Sequence, residues 1–324
     1  MATDASPSWR RVVNWFRLMD AGTSGPTQVG PSSPPLTLRR KVFIWVLALL
    51  MWGLANVVAA AAIRIYESLK LGETYDVPGS VIRDFSERNV RVELAIAKEK
   101  SFEMWYRYRP PGLLAGRHST PLLIYLHGAG ERGVDNVQQL RLVPRVLSES
   151  ELKAEFPCAV LAPQCPARHS WGSDGLARPD FLDAVLVMLD EILEDSRIDP
   201  NRVYLTGFSM GSFGSWRLAA RTPDRFAAVL PIAGGGNEEW GQQLSNVPLW
   251  AVHGAEDEAV SPEQSRRMIE AIRQAGGNPR YTELPEVGHG SWDDVFHVNS
   301  PYLSWMFMQR LNQRSTGKPS APAG

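Results

Sequence analysis

Cysteine, charge of one dominant sign and any polar face on its longest apolar run are what this 324-residue sequence is short of. With 34 Lys+Arg against 35 Asp+Glu, there is no electrostatic reason to expect a polyanionic partner, and nucleic acid is set aside. A hydrophobic content of 44% excludes a chain too polar to build a core. The two cysteines, Cys158 and Cys165, are too few for a disulfide framework or a thiolate metal site. They flank a short run, AVLAP, that reads as a strand. An extended strand holds them roughly 20 Å apart, beyond the reach of a bridge, so both are expected as free thiols.

The run without a polar face is 42–63, VFIWVLALLMWGLANVVAAAAI, which carries no charge and a single amide, Asn56. Its length suits one helical crossing of a bilayer core, and a buried soluble helix would normally show a polar stripe. Arg39, Arg40 and Lys41 abut its N-terminal side. The positive-inside rule then leaves the N-terminus cytoplasmic and the rest of the chain extracytoplasmic. A signal peptide cleaved near Ala59-Ala60-Ala61, giving a secreted protein, is the alternative; the apolar run is long for one. The domain reading is therefore a basic, Pro/Ser-rich tail over 1–41, a signal-anchor helix over 42–63, a linker over 64–76, a globular domain over 77–314 and a disordered tail over 315–324. Within the first segment, GTSGPTQVGPSSPP is a linker that cannot bury a core.

From about Val77 onward, strand-like runs alternate with amphipathic helical stretches. Strands are expected first as a pair, Val90–Ala97 and Phe102–Tyr108, and then at Leu122–Leu126, Ala159–Ala162, Val203–Thr206, Ala227–Ile232, Leu249–Val252 and Arg280–Leu284, where continuous apolar runs suit strands buried on both faces of a parallel sheet. Phe181, Leu182, Val185, Leu189, Ile192 and Leu193 form one helical stripe ending near Arg197. Ser261-Pro262-Glu263-Gln264 reads as a capping box opening a helix that turns Met268, Ile269 and Ile272 inward and stops at Gly276. This alternation predicts a doubly wound, mostly parallel α/β sheet, with its chemistry outside the carboxyl ends of the strands.

At one such end Val203–Thr206 runs into Gly207-Phe208-Ser209-Met210-Gly211 and then a helical stretch. This is G-x-S-x-G between strand and helix, where a sharp turn projects the serine hydroxyl and a Cβ at Gly207 or Gly211 would clash. A serine needs a base, and the sequence has six histidines. His118 and His169 lie in polar loops, and His127 and His253 end strands in His-Gly pairs that suit structural turns. Only His289 and His297 come late enough for the order serine, acid, histidine, and His289 follows the last strand directly. The acid is expected after Leu249–Val252: Asp257, with Glu256 and Glu258 adjacent. Asp257 would fix the His289 tautomer whose Nε2 takes the Ser209 proton.

After Leu122–Leu126, His127-Gly128-Ala129-Gly130-Glu131-Arg132-Gly133 forms a glycine-rich turn that can aim N–H groups at an oxyanion. The expected donors are Met210 and Ala129, with Gly130 next. Glu131 and Arg132 either pair to brace this loop or contact substrate. Trp171 and Trp292 are expected to pack beneath loops near Pro166 and His289; walling an acyl pocket is their alternative role.

The segments PLLIYLHGAGERG, VLAPQCP, NRVYLTGFSMGSFGSW, PLWAVHGAEDEAVSPEQS and GHGSWDDVF resemble the esterase and predicted-peptidase branch of the α/β-hydrolase superfamily. That branch is related to feruloyl esterase-like, dienelactone hydrolase-like and prolyl oligopeptidase-like proteins. The resemblance spans roughly Phe102 to Gln309 and implies Ser209 as nucleophile, Asp257 as acid, His289 as base and 127–130 as the oxyanion loop. It implies acyl transfer without metal or cofactor, on a small ester or a short peptide. Esters are favoured because alkoxides leave more easily than amines. A serine peptidase is the alternative, and a non-catalytic, membrane-tethered binding protein is the alternative from another class.

Overall fold

The computed structural model describes residues 77–94, 97–172 and 180–313, together with positions 45–47, 50, 51 and 54. The expected tail 1–41, linker 64–76 and C-terminal tail 315–324 lie outside the described residues, as does most of the expected span 42–63. Within that span the described positions are helical, and Trp45, Val46, Leu47, Leu50, Met51 and Leu54 are exposed. Among the described residues no helix is long and apolar enough to cross a membrane.

From Val77 onward the described residues form eight strands: β1 (Ser86–Leu94), β2 (Ala97–Arg109), β3 (Thr120–Leu126), β4 (Ala159–Pro163), β5 (Ile198–Phe208), β6 (Ala228–Ile232), β7 (Trp250–Gly254) and β8 (Arg280–Leu284). They form one sheet in the order β1-β2-β4-β3-β5-β6-β7-β8. β1 and β2 form a hairpin that joins β4 antiparallel, and every pair from β4 to β8 is parallel. The period-2 alternation of a strand divides the core. Leu122, Ile124 and Leu126 face one apolar layer, while Leu123 and Tyr125 face the other.

Helices α1 (Phe181–Leu193), α2 (Met210–Arg221) and α3 (Glu263–Gln274) cover the first face, and α4 (Pro301–Met308) with the turns of 138–156 covers the second. The start of α1 is set by Asp180, whose Oδ1 accepts the Leu182 N–H at 3.0 Å. Its Oδ2 meets Arg217 at 3.4 Å and Arg221 at 3.0 Å, tying α1 to α2. On α3, Met268, Ile269 and Ile272 are buried, and the chain leaves the helix through Gly276 at φ +82°.

Three expectations are corrected. The capping box at Ser261 is not made. The Gln264 N–H goes to the Ser261 carbonyl at 2.9 Å, and Ser261 Oγ accepts only a long 3.4 Å bond from Glu263 N–H. β5 starts at Ile198, upstream of Val203, because Ile198 pairs with Thr120 past an irregularity in the ladder that Asp199-Pro200-Asn201 disguises in the sequence. β8 is not buried on both faces. It is one edge of the sheet, and its residues are exposed or half-buried.

The strand order positions the site. From β3 the chain crosses to β4 on one side, and from β5 it crosses to β6 on the other. The carboxyl ends of the neighbouring strands β3 and β5 therefore send their loops apart, leaving a crevice between them.

Candidate active site

Residue Ser209 sits where β5 ends and α2 begins, with φ 54° and ψ −117°. A positive φ at a non-glycine residue is strained and is held only by its surroundings. Here the Ser209 N–H donates to the Ile232 carbonyl at 2.9 Å, and its own carbonyl accepts from Ser212 and Phe213. Glycine is required on both sides. A Cβ on Gly207 would overlap the Gly211 carbonyl, and one on Gly211 would overlap the Leu126 carbonyl at the end of β3. The elbow is thus pressed against the neighbouring strand as well as against its own.

His289 Nε2 lies 2.9 Å from Ser209 Oγ, and its Nδ1 lies 2.8 Å from Asp257 Oδ2. Its ring packs on Phe208, centroid to centroid 4.9 Å. Asp257 is 6% exposed, whereas Glu256 and Glu258 are exposed and take no part. Its Oδ1 accepts the N–H groups of Ala259 and Val260, both at 2.9 Å, and His253 Nε2 stands 3.1 Å from Oδ2. Burial is the largest influence and opposes ionisation. The bonds from His253, His289 and Val260 together outweigh it and hold the carboxyl below the usual carboxylate range. A hydroxyl beside an imidazole whose other nitrogen is fixed by a charged carboxylate can pass its proton to that imidazole as it attacks.

The other histidines are placed differently. His127 is fully buried: Nδ1 donates to the Gly128 carbonyl at 2.6 Å and Nε2 accepts the Cys165 N–H at 2.9 Å. Burial lowers its pKa to about 4, so the ring is neutral. His118 faces the Ile198 carbonyl, His169 packs on Phe181, and His297 is exposed against the Val298 carbonyl.

On the β3 side, Ala129–Glu131 form a short 3-10 turn, with Ala129 and Gly130 exposed at its crest. Gly128 is needed there, since a Cβ would press on Glu131 Oε2 at 3.1 Å and on Phe208 at 3.3 Å. Met210 begins α2, so its N–H has no intrahelical acceptor. Glu131 and Arg132 do not pair with each other. Glu131 is buried, and burial pushes its carboxyl up against the opposing pull of Arg141. Arg132 instead lies with Nε 3.1 Å from Met210 Sδ.

A cavity of about 600 Å³ opens on Ser209 and is lined by Met210, Phe213, Arg217, Gly236, Asn237 and Trp240, among others. Trp171 contributes to its floor but is 1% exposed; it donates Nε1–H to the His127 carbonyl at 2.8 Å and braces that turn. Trp292 does not line the cavity and packs half-buried against the second apolar layer. Sequence reasoning missed Phe213, Arg217, Asn237 and Trp240. The signal was present in Gly234-Gly235-Gly236 directly after β6, a glycine run at a strand's carboxyl end. Both cysteines are free, as expected, and both are buried.

The dienelactone hydrolase family model matches residues 173–296. The chain is 26% identical over 156 residues to the bifunctional acetylxylan esterase/xylanase of Neocallimastix patriciarum, covering 48% of this chain and 22% of that protein. It spans less than a quarter of the length of the first curated relatives it matches. Among solved structures, a thermostable esterase superposes with a TM-score of 0.63 at 33% identity, over 71% of this chain and 64% of that one. A ferulic acid esterase, at 14% identity and a TM-score of 0.51, shares the fold over 69% of this chain and all of its own. Sheet order, elbow and likeness point the same way: the chain has the α/β-hydrolase fold and matches the dienelactone hydrolase family model over residues 173–296.

Proposed function

We propose that the chain is a serine hydrolase that cleaves carboxylic esters through an acyl-enzyme intermediate, tethered to a bilayer by residues 42–63. The observation that carries the reaction is the hydrogen-bonded line Asp257–His289–Ser209, ending on a serine held at positive φ. Asp257 accepts the Nδ1–H of His289, which leaves the Nε2 lone pair directed at Ser209 Oγ. As Oγ attacks the ester carbonyl, Nε2 takes its proton; the N–H of Met210 and that of Ala129 or Gly130 receive the oxyanion, aided by the N-terminal end of α2. His289 then protonates the departing alkoxide. Water deprotonated by the same nitrogen releases the acyl group from Ser209.

A cavity of about 600 Å³ with an aromatic and glycine lining suits a small acyl substituent. The esterase names of the relatives favour an ester over an amide. The test is hydrolysis of short p-nitrophenyl esters and matching p-nitroanilides by the full chain. Ester turnover exceeding amide turnover by orders of magnitude is expected; the reverse order would make the protein a peptidase.

The bilayer reading rests on the uncharged composition of 42–63, on the basic residues before it, and on exposed apolar side chains from Trp45 to Leu54, which water does not favour. The chain is expected to stay with membranes through alkaline carbonate extraction, with residues 77–314 extracytoplasmic. Release into the supernatant would contradict the anchor.

A further inference from the structure

His253 is fully buried, and its ring nitrogens meet Ser265 Oγ on one side and the Val260 carbonyl and Asp257 Oδ2 on the other. Ser265 Oγ gives its one proton to the Gly234 carbonyl at 2.7 Å, so the contact between Ser265 Oγ and His253 Nδ1, 2.8 Å long, needs a proton on Nδ1. On the other side of the ring, Nε2 lies 2.9 Å from the Val260 carbonyl and 3.1 Å from Asp257 Oδ2, neither of which can donate when the carboxylate is charged. Both ring nitrogens must therefore carry hydrogen. A neutral imidazole cannot satisfy this set, and the imidazolium can.

We infer that His253 is held as a buried imidazolium on the far side of Asp257 from His289, and that it is a positioning residue for the reaction proposed above, on which this inference rests. It fixes the carboxylate in two ways. Geometrically, Asp257 Oδ1 is tied to the 259–260 backbone and Oδ2 is shared between the two histidines, so the carboxylate cannot rotate away from His289. Electrostatically, Asp257 and His253 form a nearly neutral pair, so His289 feels only part of the carboxylate's charge. Other charges near His253 cancel. Glu283, opposite it in the β7–β8 ladder, is bound by Arg266 at 2.6 and 2.8 Å and by the Tyr281 hydroxyl at 2.7 Å, while Glu256 and Glu258 are exposed.

The test measures kcat/KM against pH for p-nitrophenyl acetate, using the full chain as wild type, His253→Gln and Ser265→Ala, with melting curves to verify folding. Wild type that neither turns over substrate nor takes a fluorophosphonate label would overturn the hydrolase reading itself. With an active wild type, His253→Gln is expected to move the acid limb to higher pH by about one unit and to lower kcat with little change in KM. Ser265→Ala, which removes the acceptor on Nδ1 together with the donor to the Gly234 carbonyl, is expected to move the limb the same way by less. A limb that stays in place in the folded variants would overturn the inference while leaving Ser209 chemistry intact. The second readout needs neither variant to be active: in wild type carrying 15N-histidine at neutral pH, one buried ring should show two protonated nitrogens. A His253 ring with one bare nitrogen would overturn the inference.

Discussion

Four donors converge on the two oxygens of Asp257, and their arrangement decides which way His289 faces. Replacing it by asparagine keeps the shape but sets an NH2 or an uncharged carbonyl against Nδ1, so the tautomer proposed to activate Ser209 is no longer enforced. For Asp257→Asn a fall in kcat of roughly 10³–10⁴-fold is expected at nearly unchanged KM, measured on a short p-nitrophenyl ester. A loss below tenfold would remove Asp257 from the proposed mechanism. The choice of Asp257 over Glu256 and Glu258 shows what the sequence can and cannot reveal at this scale. Strand-end position and chain order narrowed the acid to three neighbours. Burial singles out Asp257, and burial depends on how the loop after β7 folds over His253, which no local pattern records. Trp292 packs against the second apolar layer, the role expected first for it, and its ring does not line the cavity.

Elements were more legible than side-chain directions. All eight strands were expected, the central ones from their apolar runs, because a strand buried on both faces must be apolar throughout. β8 was expected to be buried and is an edge, since neighbours, not composition, decide that. The elbow glycines were expected to be sterically required. What the sequence did not disclose is that Gly211 meets β3, a contact made across the sheet order. Ala at Gly211 should therefore cost at least about 3 kcal/mol in urea unfolding, by forcing backbone apart. Gly130→Ala, where nothing lies within 4 Å of the added carbon, should change stability by less than about 0.5 kcal/mol. Equal costs at the two sites would contradict the close approach of elbow and β3.

For the molecule as a whole, acid is the condition the fold is least built to meet. His127 is held neutral with its pKa lowered from 6.5 to about 4, while the unfolded chain binds a proton at the higher value. The unfolded state thus carries more protons between these limits, and stability falls as pH drops through that window, by up to about 3 kcal/mol from this residue alone. Asp257, depressed below the usual carboxylate range, adds a further loss only at lower pH, once unfolded carboxylates protonate. Urea midpoints taken from pH 7 to pH 4 should fall steadily in the wild type and less steeply in His127→Gln; parallel slopes would count against a buried neutral His127.

The most direct test of the central claim is covalent labelling of the full chain with a fluorophosphonate, followed by peptide mass spectrometry. The account predicts one stoichiometric adduct on Ser209, absent from Ser209→Ala and slowed in His289→Ala. Folded wild type that takes no label, or takes it on another serine, would contradict it.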